Sequence, residues 1–252
     1  MPATASTPGS RYLASRAAFA KGFFALFRFN RSALATGLLV SQSCITGDIC
    51  GNAMPSRGDQ YFNPVTKTRL LFVETAEESG GRELIMDWFV PAGENLARAN
   101  HVHSGPDGFV LERFELIAGD AACRIGGREF SGSAPHVFEI PANTPHVHPR
   151  NAGSSELHVR QRIALAEPSL DVLQGVERFF DTLTALSQKR RTTRNGDFYD
   201  PLQAAITFVD ALLPGTYLSG IPLSMQLPMF NGLASVARRL GYRPHILPEK
   251  LP

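Results

Sequence analysis

The sequence predicts a mainly β fold, a barrel or sandwich of many short strands followed by α-helices packed against it. Two observations carry that reading. Between residues about 61 and 166, apolar runs of strand length alternate with Gly, Pro and Asn turn signals at intervals of about 8 to 12 residues. At Pro168-Ser169 the apolar period changes from two to about 3.6. The chain of 252 residues therefore divides into an N-terminal segment, 1–60, a β domain, 61–166, and a helical extension, 167–252.

From Met1 to Gly47 no acidic residue occurs, while Arg11, Arg16, Lys21, Arg28 and Arg31 punctuate alanines, serines and phenylalanines. That is the composition of an organelle-targeting segment over residues 1–47. A disordered tail is the competing reading, as is an upstream extension of a frame that starts at Met54. Tyr61-Phe-Asn-Pro-Val65 then marks a turn, and the first strand follows at Thr68–Glu74. Gly80-Gly81 separates it from a second strand at Glu83–Val90. The pattern continues with Phe109–Ile117, Ala122–Ile125, Arg128–Phe130, His136–Ile140 and Glu156–Leu165. Gly126-Gly127 suits a tight primed hairpin turn, in which both central residues need positive φ.

His101–Asn151 holds five of the seven histidines. Side chains two apart on a strand share a face, so His101 and His103 can share one ion. On the next strand Glu112 alternates with Val110, Phe114 and Leu116, whereas Arg113 and Glu115 fall on the other face. Glu112 is thus a carboxylate on the inward, more apolar side. A buried carboxylate needs a neutralising partner, and a divalent ion held by neighbouring imidazoles supplies one. His146 would bring a third nitrogen. His136 and His158 read as surface or hydrogen-bonded core imidazoles.

These residues carry a family resemblance. His101-x-His103 with Glu112 and Gly119 resembles the first motif of the cupin superfamily, and Pro141-x-Asn143-x-x-His146 with Asn151 resembles the second. The gap from His103 to Glu112 is longer than usual, with Ser104–Gly108 as the inserted turn. Asn143 stands where the family has glycine, and Asn is the residue that best tolerates positive φ after glycine. Asn151 closes the second motif one position late, which makes His148 a rival to His146. The resemblance implies a cupin jelly-roll barrel and one divalent metal on His101, His103, Glu112 and His146, with iron(II) ahead of manganese, zinc, nickel or copper. It further implies an enzyme on a small organic molecule, a dioxygenase-like oxidoreductase first. The alternatives are a metal-dependent isomerase, decarboxylase or cyclase, and a small-molecule-binding module without turnover. Pairing of such barrels makes a homodimer the default.

Strand aromatics mark an apolar substrate pocket at Trp88, Phe114 and Phe138, with Phe109 and Phe130 nearby; aromatics on strands are also ordinary core. After Ser169, a candidate N-cap, Leu170, Leu173, Val176, Phe180, Leu183 and Leu186 recur at helical spacing. A second helix starts at Asp200-Pro201 and runs to Leu213, and a third ends at Arg238-Arg239 before Gly241. This extension resembles the one carried by a bacterial group of cupin-domain proteins, over residues 60–247. Residues 211–237 carry no charge and read as a lid over the barrel mouth, a protomer contact or a peripheral membrane contact; Pro and Gly exclude one spanning helix.

A formal net charge of +2 without a basic face excludes nucleic acid as a partner, and Lys189–Arg194 reads as a solvated loop. Cys44, Cys50 and Cys123 are too few and too odd for a disulfide framework, which fits a reducing, cytoplasmic setting. No phosphate-cradling loop or G-x-S-x-G nucleophile motif is present.

Overall fold

The computed structural model describes residues 54–94, 96, 98–104 and 109–252. The readings placed on residues 1–53, Cys44 and Cys50 included, lie outside the described residues, as does most of the Ser104–Gly108 turn. The described strands form two antiparallel sheets. One has the order β1 (Gln60–Phe62), β2 (Arg69–Glu74), β3 (Glu83–Val90), β10 (Leu157–Leu165), β5 (Phe109–Ala118) and β8 (His136–Pro141). The other has the order β11 (Thr216–Leu218), β4 (His101–His103), β9 (His146–Asn151), β6 (Asp120–Ile125) and β7 (Arg128–Ser133). From β4 onward the chain crosses repeatedly between the sheets, which makes the barrel a jelly roll of the cupin type.

Alternation explains which side chains face in. Leu84, Met86, Trp88 and Val90 of β3 are buried with Leu157, Val159 and Ile163 of β10 and Phe114 and Leu116 of β5. One inward position of β10 breaks the apolar rule: Gln161, between Val159 and Ile163, is fully buried. At the β6–β7 hairpin Gly126 and Gly127 take φ of 58° and 81°, as a primed turn requires. Gly119, after β5, has φ 91°, and a Cβ there would sit 3.1 Å from Leu157 Cα.

Three helices follow the barrel: α1 (Leu170–Gln188), α2 (Pro201–Ala211) and α3 (Leu223–Arg239). Ser169 occupies the N-cap of α1 in extended conformation, but its hydroxyl makes no capping bond. Asp200 does cap α2, its Oδ1 accepting from Leu202 N at 2.8 Å, with Pro201 in the first turn. The uncharged stretch 211–237 is not one segment. It contains a turn, the short strand β11 paired to β4, and most of α3. Among the described residues no helix is long and apolar enough to cross a membrane.

Three elements differ from the sequence reading. Gln60–Phe62 is a strand rather than only a turn, and His146–Asn151 is a strand rather than a loop that delivers one histidine. Thr216–Leu218, inside the expected lid, extends the histidine-bearing sheet.

Candidate metal centre

The short strand β4 is buried along its whole length, because β11 and β9 flank it and the opposite sheet covers it. Its antiparallel partner β9 places His146 directly across from His101. His148, two residues further, keeps the same face as His146, while Glu112 arrives from β5 in the opposing sheet. One ligating atom from each of His101, His103, Glu112, His146 and His148 lies within 4.8 Å of the others, and all five residues are buried. The expected choice between His146 and His148 is replaced by both: as members of one strand two positions apart, they project together.

The ring orientations are fixed from behind. His101 Nδ1 lies 2.9 Å from Ala99 O, His146 Nδ1 2.9 Å from Thr144 O, and His103 Nδ1 2.8 Å from Thr216 Oγ1. A ring N–H donating to a carbonyl on the Nδ1 side leaves the Nε2 lone pair for the interior. Around Glu112, His103 Nε2 stands 3.3 Å and His146 Nε2 2.8 Å from Oε2, and His148 Nε2 stands 3.1 Å from Oε1. Yet Nε2 of both His146 and His148 lacks a hydrogen-bond partner, since short distance there comes without donor alignment. Buried nitrogens that converge on one carboxylate without aligned hydrogen bonds are what a metal-ligand set presents. The donor chemistry therefore fits a divalent transition metal.

The electrostatics of His101, His103 and Glu112 agree with that fit, whereas burial lowers His146 but the contact with Glu112 outweighs it and raises that imidazole. Burial, followed by the neighbouring imidazoles, holds His101 well below the usual histidine value, and burial lowers His103 against the pull of Glu112. Neutral imidazole is the form that ligates. Burial pushes Glu112 upward, but His148 and His103 outweigh it and hold the carboxyl well below the usual range.

Above this floor lies a cavity of about 70 Å³. His101, His103, Glu112, His148 and Gln161 form its polar side. Val176, Phe179 and Phe180 of α1, Phe208 and Leu212 from α2 and its C-cap, and Thr216–Leu218 of β11 close it. Trp88, Phe114 and Phe138 do not line the cavity, which corrects the expected pocket wall. Trp88 stands behind Gln161, Phe114 meets the His148 ring edge-on with centroids 5.0 Å apart, and Phe138 is packed in the barrel core. Phe130 is 46% exposed. Trp88, Phe114 and Phe138 are core packing, and helix aromatics take the place expected for them.

His136 and His158 stand outside the cluster, His136 edge-on to Phe138 and His158 beside Asp87 at 3.2 Å. Gln161, Thr216, Phe179 and Phe208 were not singled out in the sequence. Gln161 had a readable signal, a polar residue at an inward strand position. Thr216 had none, because three residues of strand inside an uncharged stretch carry no period.

No family model matches the chain, and no curated protein matches it. Among solved structures, a predicted oxalate decarboxylase from Thermotoga maritima is similar at 15% identity, over 39% of this chain and 80% of that one, with a TM-score of 0.34. The Cupin_2 domain of an XRE-family transcriptional regulator from Enterobacter cloacae is similar at 14% identity, over 40% of this chain and 98% of that one, with a TM-score of 0.32. KdgF from a Halomonas species is similar at 11% identity, over 40% of this chain and 80% of that one, with a TM-score of 0.31.

Proposed function

We propose that the protein is a metal-dependent cupin enzyme acting on a small, largely apolar organic molecule, an oxygenase when iron(II) is bound. The observation that carries this reading is the cluster of four imidazoles and one carboxylate, of which His101, His103, His148 and Glu112 face an apolar cavity. Five donors on a six-coordinate ion leave one position, and four leave two, so a small reactant has a place to bind.

His101, His103, His146, His148 and Glu112 would hold the ion. Iron(II) in an imidazole and carboxylate set with an open position supplies dioxygen activation. The chain's own residues do the rest. Phe179, Phe180 and Phe208 exclude water and favour an apolar reactant over a charged one, and Thr216 with Ala99 and Thr144 keeps the rings in their ligating orientation. Among the described residues the cavity walls carry no lysine or arginine to bind a phosphate or a sugar acid.

Elemental analysis of the purified protein should find near-stoichiometric metal, and His103→Ala should lose it. Iron-loaded protein should consume dioxygen in the presence of an apolar substrate candidate such as a small phenol or terpenoid. Metal kept at wild-type occupancy after His103→Ala would sink the reading. Stoichiometric iron with substrate turnover but no oxygen uptake would move it to the non-oxidative reactions.

A further inference from the structure

Gln161 is a polar side chain with no solvent exposure in the middle of β10, the strand between β3 and β5. An amide in that position must satisfy both its ends or cost stability. It does so in a fixed sense. Trp88 Nε1 donates to Gln161 Oε1 at 2.8 Å, and Gln161 Nε2 donates to Glu112 Oε1 at 2.5 Å. The indole N–H can only donate, so it decides which end of the amide is oxygen, and the NH₂ must then face the carboxylate. Trp88 is itself held, 6% exposed and edge-on to Phe180 with ring centroids 5.1 Å apart.

We infer that Gln161, oriented by Trp88, is a positioning residue of the metal centre: it occupies Oε1 of Glu112 and so leaves Oε2 as the oxygen turned toward the ion. The inference rests on the metal reading above. Oε2 is the oxygen that two of the imidazoles, His103 and His146, approach, whereas Oε1 has His148 Nε2 at 3.1 Å besides the Gln161 amide. The Trp88–Gln161–Glu112 chain thus joins a buried aromatic of β3 to the ligand on β5 through the strand between them, and it pre-orders the carboxylate before metal arrives.

A merely space-filling Gln161 would be replaceable by methionine, which has the same length and no donor. The test is a cobalt(II) titration of the full chain, read by visible absorption, for the wild type, Gln161→Met, Trp88→Phe and His103→Ala, with thermal unfolding of each metal-free protein alongside. Gln161→Met should bind cobalt about 10- to 100-fold more weakly, with altered d–d bands. Trp88→Phe keeps a ring against Phe180 but frees the amide to turn, and should show a smaller loss in the same direction. Cobalt affinity within twofold of the wild type and an unchanged spectrum in Gln161→Met overturns the positioning role. Should that variant not fold, the same criterion applies to Trp88→Phe. A wild type that binds no cobalt overturns the metal reading and this inference with it; binding that His103→Ala abolishes and Gln161→Met leaves intact overturns this inference alone.

Discussion

The floor and the roof of the cavity are built by opposite means. The floor is strand. Its donors come in pairs two residues apart, His101 with His103 and His146 with His148, and the pleat turns each pair to one side. The roof is helix and short strand, contributed by Val176 through Leu218, and its residues obey only the period of any amphipathic helix packed on a core. The difference teaches that donor atoms leave a short-range signature because geometry ties them together locally. An apolar wall leaves none, since a phenylalanine facing a cavity and one facing the core satisfy the same rule of burial.

Single substitutions should separate the two regions, and the largest effect belongs to the floor. Glu112→Ala removes the one carboxylate among four imidazoles and strips Gln161 of its acceptor. Metal content of the purified variant should fall to background, and activity by at least about a hundredfold, because no other ligand replaces the charge. Phe180→Ala in the roof should do the reverse. It removes a 6% exposed ring packed on Trp88 and should cost about 2 to 4 kcal/mol in urea unfolding, with metal content reduced far less than in Glu112→Ala. Metal lost to background from Phe180→Ala at full folding would erase the distinction between the regions.

The same contrast explains how much could be read in advance. Alternation located most strands of the barrel and put Glu112 on the inward face, and the two motifs named four of the five clustered donors, with His148 as an alternative rather than a companion. His148 was undervalued because His146–Asn151 contains a proline and an arginine that hide its strand character. The pocket wall was misplaced for a physical reason. Trp88, Phe114 and Phe138 do face inward, but Gln161 stands in front of Trp88, the His148 ring in front of Phe114, and Phe138 packs in the core, and only packing decides which layer meets the substrate. Asn143 behaved as expected, with φ 61° at the position the cupin motif gives to glycine.

Thr216 is where floor and roof meet. It belongs to β11, beyond α2, yet its hydroxyl sits 2.8 Å from Nδ1 of His103, across from it in the β4–β11 register. The helical extension therefore reaches the ligand set itself rather than only covering it. Thr216→Val keeps the shape and removes the hydroxyl. The expected outcome is metal affinity about tenfold weaker, with the unfolding midpoint near that of the wild type. An affinity equal to the wild type in a competition titration with a chelator would confine the extension to a roof.

The smallest effect concerns how the roof is held. On α1, three residues before Phe180, Glu177 is 1% exposed and accepts from Ala76 N at 2.8 Å. Burial pushes its carboxyl up to about 7, the Ala76 N–H opposes this, and the charge of Asp181 adds to it. The folded protein therefore keeps a proton that the unfolded chain, with the ordinary value of 4.5, releases at lower pH. Between those values the native state binds more protons than the unfolded one, so this group makes stability fall as pH rises from about 4.5 to 7, and its penalty is constant above. Glu177→Gln carries no such proton and still offers an oxygen to Ala76, although an amide accepts less strongly than a carboxylate. The variant should match the wild type near pH 4.5 and exceed it above pH 7 by on the order of 1 kcal/mol, less than the full shift implies because of that weaker bond. Urea unfolding at pH 5 and pH 8 checks it. Equal stability differences at the two pH values would mean that Glu177 is ionised in the fold at both, and that α1 is held against the barrel without this protonated contact.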